Sequence, residues 1–182
     1  MADKIKIVGF TGSLRKNSYN LAALRAAATL LPEEAELEIL DISALPFFNE
    51  DVEAEGVPEV VHKFKEKLAA ADAVLLATPE YNYSLPPALK NALDWASRGD
   101  YNPLANKPTA IMSASIGMFG GARAQYHLRQ VCVRLNAQVL NQPEVFIANA
   151  GTKFAEDGTL TDERTQNSIK RLLKALIEKV KA

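Results

Sequence analysis

Cysteine is nearly absent from this chain: Cys132 stands alone among 182 residues. One thiol allows neither an intramolecular disulfide nor a Cys-rich zinc site, and it suits a reducing compartment, so a cytoplasmic location is expected. Histidine is scarce as well. His62 and His127 have no further His, Cys or acid at ligand spacing, which predicts surface or capping roles and no metal site. Long hydrophobic runs are missing. The longest, such as residues 73–77, fall far short of the ~20 needed to cross a bilayer. Residues 1–10, with Asp3, Lys4 and Lys6, lack the apolar stretch and small-residue cleavage site of a secretory signal, so no membrane partner is expected. Charge of one sign is not in excess either: 21 basic and 22 acidic residues leave a net charge of -1. No global field gathers nucleic acid or anionic lipid, and any anion site must be local.

What is present is an ordinary globular balance, 48% hydrophobic and 24% charged, at a length that suits one domain over residues 1–182. Runs rich in Ile and Val alternate with stretches of helical period, the pattern of βαβ units around a buried parallel sheet. Strands are expected at residues 5–10, 36–40, 73–78 and 109–114, with a fifth supplied jointly by 138–140 and 145–148, bent near Pro143. Helices are expected over 20–31, from Pro58, from a Ser84/Pro86/Pro87 start, across Ala124 to Leu135, and after Thr161 as N-cap. Residues 41–57, with Phe47 and Phe48 among acids, read as a long ordered loop or lid. Five strands with helices between them predict an α/β three-layer sandwich with a parallel sheet in the order 2-1-3-4-5. Ligands of such sheets bind outside the carboxyl ends of the strands where the strand order reverses, which directs attention to the loops after strands one, three and four.

The first of these loops holds Gly12, Ser13, Arg15, Lys16 and Ser18, then Tyr19 and Asn20 at a helix start. Hydroxyls, a guanidinium, free N–H groups and the helix dipole suit a phosphomonoester; the plainer alternative is a Ser or Asn N-cap with Arg15 and Lys16 in solvent. No G-x-x-x-x-G-K-[ST] or G-x-G-x-x-G pattern is present, which weakens nucleoside triphosphatase and ordinary dehydrogenase readings. A low-molecular-weight phosphatase would need a Cys here, and a receiver-type phosphoacceptor would need carboxylates at strand ends that finish in Phe10 and Thr78. The second loop, Pro79, Glu80, Tyr81, Asn82, Tyr83 and Ser84, offers aromatics and backbone donors to the edge of a flat heteroaromatic ring, or is a Pro-rich turn that covers the core. The third, around Ser115, Gly117, Gly120 and Gly121, lets the backbone approach a ligand closely, although such turns are often structural.

Together, Gly12-Ser13-x-Arg15-x-x-Ser18-x-Asn20, Pro79-Glu80-Tyr81-Asn82-x-Ser84-x-Pro86 and Leu89-Lys90-Asn91-Ala92-x-Asp94-Trp95 resemble the NADPH-dependent FMN reductase family, and within it the bacterial quinone and chromate reductases. The resemblance runs from the first strand to about the fifth. It implies a flavodoxin-like fold and noncovalently bound FMN, with NADPH or NADH as hydride donor and a quinone, chromate or another small molecule as two-electron acceptor. It matches Ser13, Arg15, Ser18 and Asn20 to the phosphate cradle, with Tyr19 at the same helix start. Pro79, Glu80, Tyr81 and Asn82 match the loop along the flavin ring, and Ser115 and Gly117 the turn that approaches it. Residues 45–51 are similar to a loop that helps wall the active site. Homodimers or homotetramers are implied.

Because the flavin performs the chemistry, no side chain is expected to act as acid, base or nucleophile, and Cys132 is expected to be inert packing. Asn91 and Asp94 suit either loops near the flavin or a structural role on their helix. Arg123, Arg129, Arg134 and Tyr126 share a helix, with Glu144 an available acid, so a solvated basic face or a subunit contact is expected. A nonenzymatic flavodoxin-type FMN carrier is the alternative, but docking onto basic partners would favour an acidic surface that the charge balance lacks.

Overall fold

A computed structural model describes residues 4–182. Met1 to Asp3, part of the stretch read against a secretory signal, lie outside them. The sheet is parallel, built on β1 (Ile5–Thr11), β2 (Ala35–Ile39), β3 (Ala73–Thr78) and β4 (Pro108–Ala114). Two further short strands, β5 (Gln138–Val139) and β6 (Val145–Ile147), both pair with β4, at Thr109 with Val139 and at Met112 with Val145. The order is β2-β1-β3-β4-β5, as expected, with β6 sharing the fifth position. The fifth strand is thus two pieces rather than one bent strand, interrupted where Pro143 brings no N–H to the ladder.

Every residue of β3 is buried, as a central parallel strand requires. Successive side chains point to opposite faces. Ile7, Leu75 and Met112 join one core with α1 (Tyr19–Leu30) and α6 (Glu163–Lys181). Val8, Phe10, Leu76 and Ile111 join the other with α3 (Glu59–Ala70), α4 (Pro87–Ala96) and α5 (Ala122–Arg134). The three-layer α/β sandwich follows. On α6, Ile169, Leu172, Leu173, Leu176 and Ile177 turn inward at helical spacing. Its N-cap is Asp162, one residue later than expected: the carboxylate accepts the Thr165 N–H at 2.9 Å, while the Thr161 hydroxyl donates to the Lys153 carbonyl. Among the described residues no helix is long and apolar enough to cross a membrane.

Residues 41–57 contain a short helix not foreseen from the sequence, α2 (Glu50–Glu55), capped by Asn49 and closed at Gly56, whose φ of +130° suits glycine. The segment is fastened to α4. Asn91 accepts the Phe48 N–H at 2.7 Å and donates to the Pro46 carbonyl at 2.9 Å, and the Trp95 indole donates to that carbonyl at 2.7 Å. Phe48 meets Trp95 edge-on, and Arg98 lies over its ring while pairing with Glu53 at 2.7 Å. Asn91 therefore has a structural role, and Asp94 pairs with Lys90 one turn away.

Candidate functional site

The first loop leaves β1 and turns directly against α4. A Cβ at Gly12 would sit 2.7 Å from Leu89 Cβ and collide with the Pro86 ring, so only glycine allows this approach. Ser13 is buried, and its N–H donates to the Thr11 hydroxyl at 3.2 Å. Ser18 is the N-cap of α1, its hydroxyl oxygen accepting the Leu21 N–H at 3.4 Å. The N–H groups of Tyr19 and Asn20, in the first turn, have no intrahelical acceptor by geometry, and the first turn carries no acid to oppose an anion. Arg15 is exposed and folds back so that its guanidinium donates to the Asn17 carbonyl at 2.9 Å.

Asn20 lies at the same helix start, but its side chain is already engaged. It donates to the Ala114 carbonyl and accepts the Ala114 N–H, both at 2.9 Å, in a buried bridge between α1 and the end of β4. Its amide thus joins the first and third loops, which leaves its main-chain N–H as the donor it can offer to the cleft.

In the second loop, Tyr81 and Ser84 exchange main-chain hydrogen bonds of 2.9 and 3.0 Å around Asn82 and Tyr83, whose φ values are +47° and +66°. This two-residue reversal places a tyrosine in the left-handed region, where a non-glycine residue is strained. Arg123 stacks over that tyrosine at 3.7 Å. The Glu80 carboxylate turns away from the loop to accept the Arg123 Nε at 2.6 Å and the Arg123 N–H at 3.1 Å. It caps α5, whose own N-cap, Gly121, has no side chain to do so. This hydrogen bond with Glu80 raises the Arg123 pKa further above its ordinary value. His127 is exposed and lies 3.0 Å from the Ser84 hydroxyl through Nδ1.

The third loop is held by β6 and the chain after it: Ser115 N–H donates to the Ile147 carbonyl at 3.0 Å. Gly117 donates to the Ser115 hydroxyl at 3.1 Å, and a Cβ there would meet only that oxygen, at 3.6 Å. The steric need for glycine lies instead at Gly120 and Gly121, with φ of +58° and +87°, where a Cβ would press on the Ala148 nitrogen at 2.9 Å and Ser113 Cβ at 2.8 Å.

These loops close on one cleft of about 160 Å³. Ser13, Arg15, Ser18, Tyr19 and Asn20 line it from the first loop, Pro79, Glu80 and Tyr81 from the second, and Ser115 from the third. Asn82 and Gly117, expected at the same site, are not among its lining residues. Ala114 and Ile116 are, although an Ala that ends a strand and an Ile just beyond it carry no chemical signature in the sequence. The donor set of the first loop fits a phosphate: two hydroxyls, a helix start and a guanidinium, with the nearby Glu80 carboxylate neutralised by Arg123. The exposed Tyr81 and Ile116, from the second and third loops, fit a flat ring.

Residues 5–152 match the family described as NADPH-dependent FMN reductase. The chain belongs to that family. An NAD(P)H-dependent FMN reductase of Pseudomonas aeruginosa is 52% identical over 176 residues, covering 97% of this chain and 95% of the relative. An NAD(P)H:quinone oxidoreductase of Solanum tuberosum is 49% identical over 179 residues, covering 94% and 91%. Among solved structures, FerB, a flavoenzyme NAD(P)H:(acceptor) oxidoreductase from Paracoccus denitrificans, superposes with a TM-score of 0.88 at 34% identity over 97% of each chain.

Two other groups of this FMN reductase family member have clear places. Cys132 is buried in α5, and desolvation pushes its thiol up to about 11, which keeps it protonated and unreactive near neutral pH. The arginines of α5 do not form a simple solvated face: Arg123 serves Glu80, and Arg129 donates to the Leu140 carbonyl at 2.9 Å with Glu144 at 3.9 Å. Tyr126 and Val133 remain exposed on the same helix.

Proposed function

We propose that this chain is an FMN-dependent NAD(P)H oxidoreductase that reduces quinones by two electrons. The observation that carries the reading is the convergence of three strand-end loops on one cleft, lined by an anion-ready helix start from the first and by Tyr81 and Ile116 from the other two, in a member of the FMN reductase family. When bound, FMN would supply the two-electron redox chemistry that links NAD(P)H to the acceptor.

The chain's part is binding and orientation. The Ser13 and Ser18 hydroxyls would hydrogen-bond the phosphate, the N–H groups of Tyr19 and Asn20 would add two directed donors, and the Arg15 guanidinium, which donates to the Asn17 carbonyl, would add charge. The main-chain N–H groups of Glu80 and Asn82 would aim donors at the ring edge where negative charge grows on reduction, Pro79 and the Tyr81–Ser84 hydrogen bonds would hold that loop in shape, and Ser115 and Gly117 would close the cleft opposite. No side chain acts as acid, base or nucleophile. The cleft is lined by no Cys or His, and the Glu80 carboxylate is tied to Arg123. The flavodoxin-type carrier is the weaker reading, since the chain is balanced in charge and its relatives at about half identity are named as reductases.

The reading extends in three directions. Chromate joins quinones as an acceptor, because a two-electron donor held in an open cleft does not require one acceptor shape. Homodimers or homotetramers bury exposed apolar side chains of the second and third loops, among them Tyr83, Met118 and Phe119. The cytoplasm is the location, in keeping with a single reduced thiol, and the whole chain acts as one FMN-binding domain. Purified protein should be yellow and bleach on anaerobic addition of NADPH, with quinone restoring the colour. A colourless protein that also leaves the fluorescence of added FMN unquenched would refute the reading.

A further inference from the structure

Ser13 and Arg15 line a second, larger cleft of about 580 Å³ on the other side of the first loop, between α1 and the end of β2. Lys16 and Arg25 reach into it from the loop and from α1. Among the described residues neither takes part in an ion pair. The one acid of the lining, Asp41, follows β2 and accepts the Ser43 N–H at 2.8 Å. Leu14, which is 57% exposed, and the half-buried Ile39 and Leu40 supply an apolar surface. Cations without partners, beside apolar side chains in a cleft of ligand size, are the features of a site for an anionic heteroaromatic ligand.

We propose that this cleft binds the adenosine 2′-phosphate half of NADPH, with Lys16 and Arg25 as the residues that read the 2′-phosphate. The proposal rests on the oxidoreductase reading above and deepens it. A dinucleotide that presents its nicotinamide at the smaller cleft must lead its charged half elsewhere, and Ser13 and Arg15, shared by both clefts, make the route over the first loop continuous. In Rossmann-type dinucleotide folds, whose G-x-G-x-x-G turn this chain lacks, the adenosine ribose lies beside the end of the second strand, with an acid reading a free hydroxyl and a basic residue reading a 2′-phosphate. This chain offers both at that point. Arg25 can engage phosphate with a planar fork, Lys16 adds a compact charge, Asp41 can accept from the 3′-hydroxyl, and the adenine lies against Leu14 and Leu40.

The test uses FMN-loaded protein and two probes, 2′,5′-ADP and 5′-AMP, titrated calorimetrically, with steady-state kinetics for both donors. The 2′-phosphate probe should bind at least about tenfold more tightly than 5′-AMP, and Lys16→Ala/Arg25→Ala should remove that difference. The same double variant should raise the ratio of KM for NADPH to KM for NADH by about tenfold or more. Lys16→Glu, also at an exposed position, should raise it further. Equal binding of the two probes, no binding of either, or a proportionate change in both KM values overturns the proposal. Absence of bound flavin would instead refute the oxidoreductase reading, and the probe titration would still decide whether the cleft recognises a 2′-phosphate.

Discussion

Removing the Asn20 side chain should damage stability and flavin binding together. In Asn20→Ala, the Ala114 N–H and carbonyl each lose a partner at 2.9 Å in a place where Asn20 and Ala114 are both only 3% exposed. A buried polar group left unsatisfied costs about 1–3 kcal/mol. With two such groups, and water able to enter the space left by the amide, the loss should be about 2–5 kcal/mol, a large share of the ~5–15 kcal/mol that holds a domain together. For a chain of this size, at about 2–4 °C per kcal/mol, that is a fall of about 4–20 °C in Tm. Urea denaturation of flavin-free protein measures it directly, as a lower midpoint with unchanged slope. FMN affinity should fall as well, because the bridge fixes the helix start against the third loop. Asn20→Asp separates the two bonds. It keeps an acceptor for the Ala114 N–H but sets a carboxylate oxygen against the Ala114 carbonyl, so it should lose at least as much at pH 7 and recover in part as lower pH restores a proton to donate. A loss below about 0.5 kcal/mol for Asn20→Ala would refute the argument, since it would mean that both Ala114 groups find other partners at no cost.

Three further outcomes follow from the geometry. Arg15→Ala should weaken FMN about 10- to 100-fold while changing riboflavin far less; equal losses for both ligands would remove Arg15 from the phosphate site. Cys132 should resist iodoacetamide at pH 8 in the native protein and react after unfolding, and Cys132→Ser should retain turnover; rapid native labelling would contradict the burial that raises its pKa to about 11. Hydrogen bonding to Arg98 holds the Glu53 carboxyl below its usual 4.5, so this contribution is present above that pH and is lost as pH falls through the lower folded value. Trp95, which anchors the same segment through Pro46 and Phe48, should report that release by fluorescence in acid, and Glu53→Gln should abolish the pH-dependent step.

What the sequence determined by itself was local and periodic. Buried parallel strands must be apolar on both faces, so 73–78 stood out as a central strand, and the 3.6-residue spacing of Ile169, Leu172, Leu173 and Leu176 marked the inward stripe of the last helix. Loop chemistry confined to a few consecutive residues was equally legible: hydroxyls, an arginine and a helix start between Gly12 and Asn20, directly after a strand. Tertiary structure decided which polar groups were free to act. Asn20 and Ala114 are 94 residues apart in the chain, and Glu80 and Arg123 are 43 apart. From the sequence alone, Asn20 and Glu80 read as flavin contacts. Their partners are a strand-end backbone and a helix start whose own cap is a glycine, neither of which has any signature near residues 20 or 80. The division of the fifth strand, the short helix at Glu50–Glu55 and the cleft beside β2 arose in the same way, because each depends on where distant segments meet. Periodicity is set by the backbone's repeat and can be read along the chain, whereas hydrogen-bond partners and clefts exist only once strands from different parts of it lie side by side.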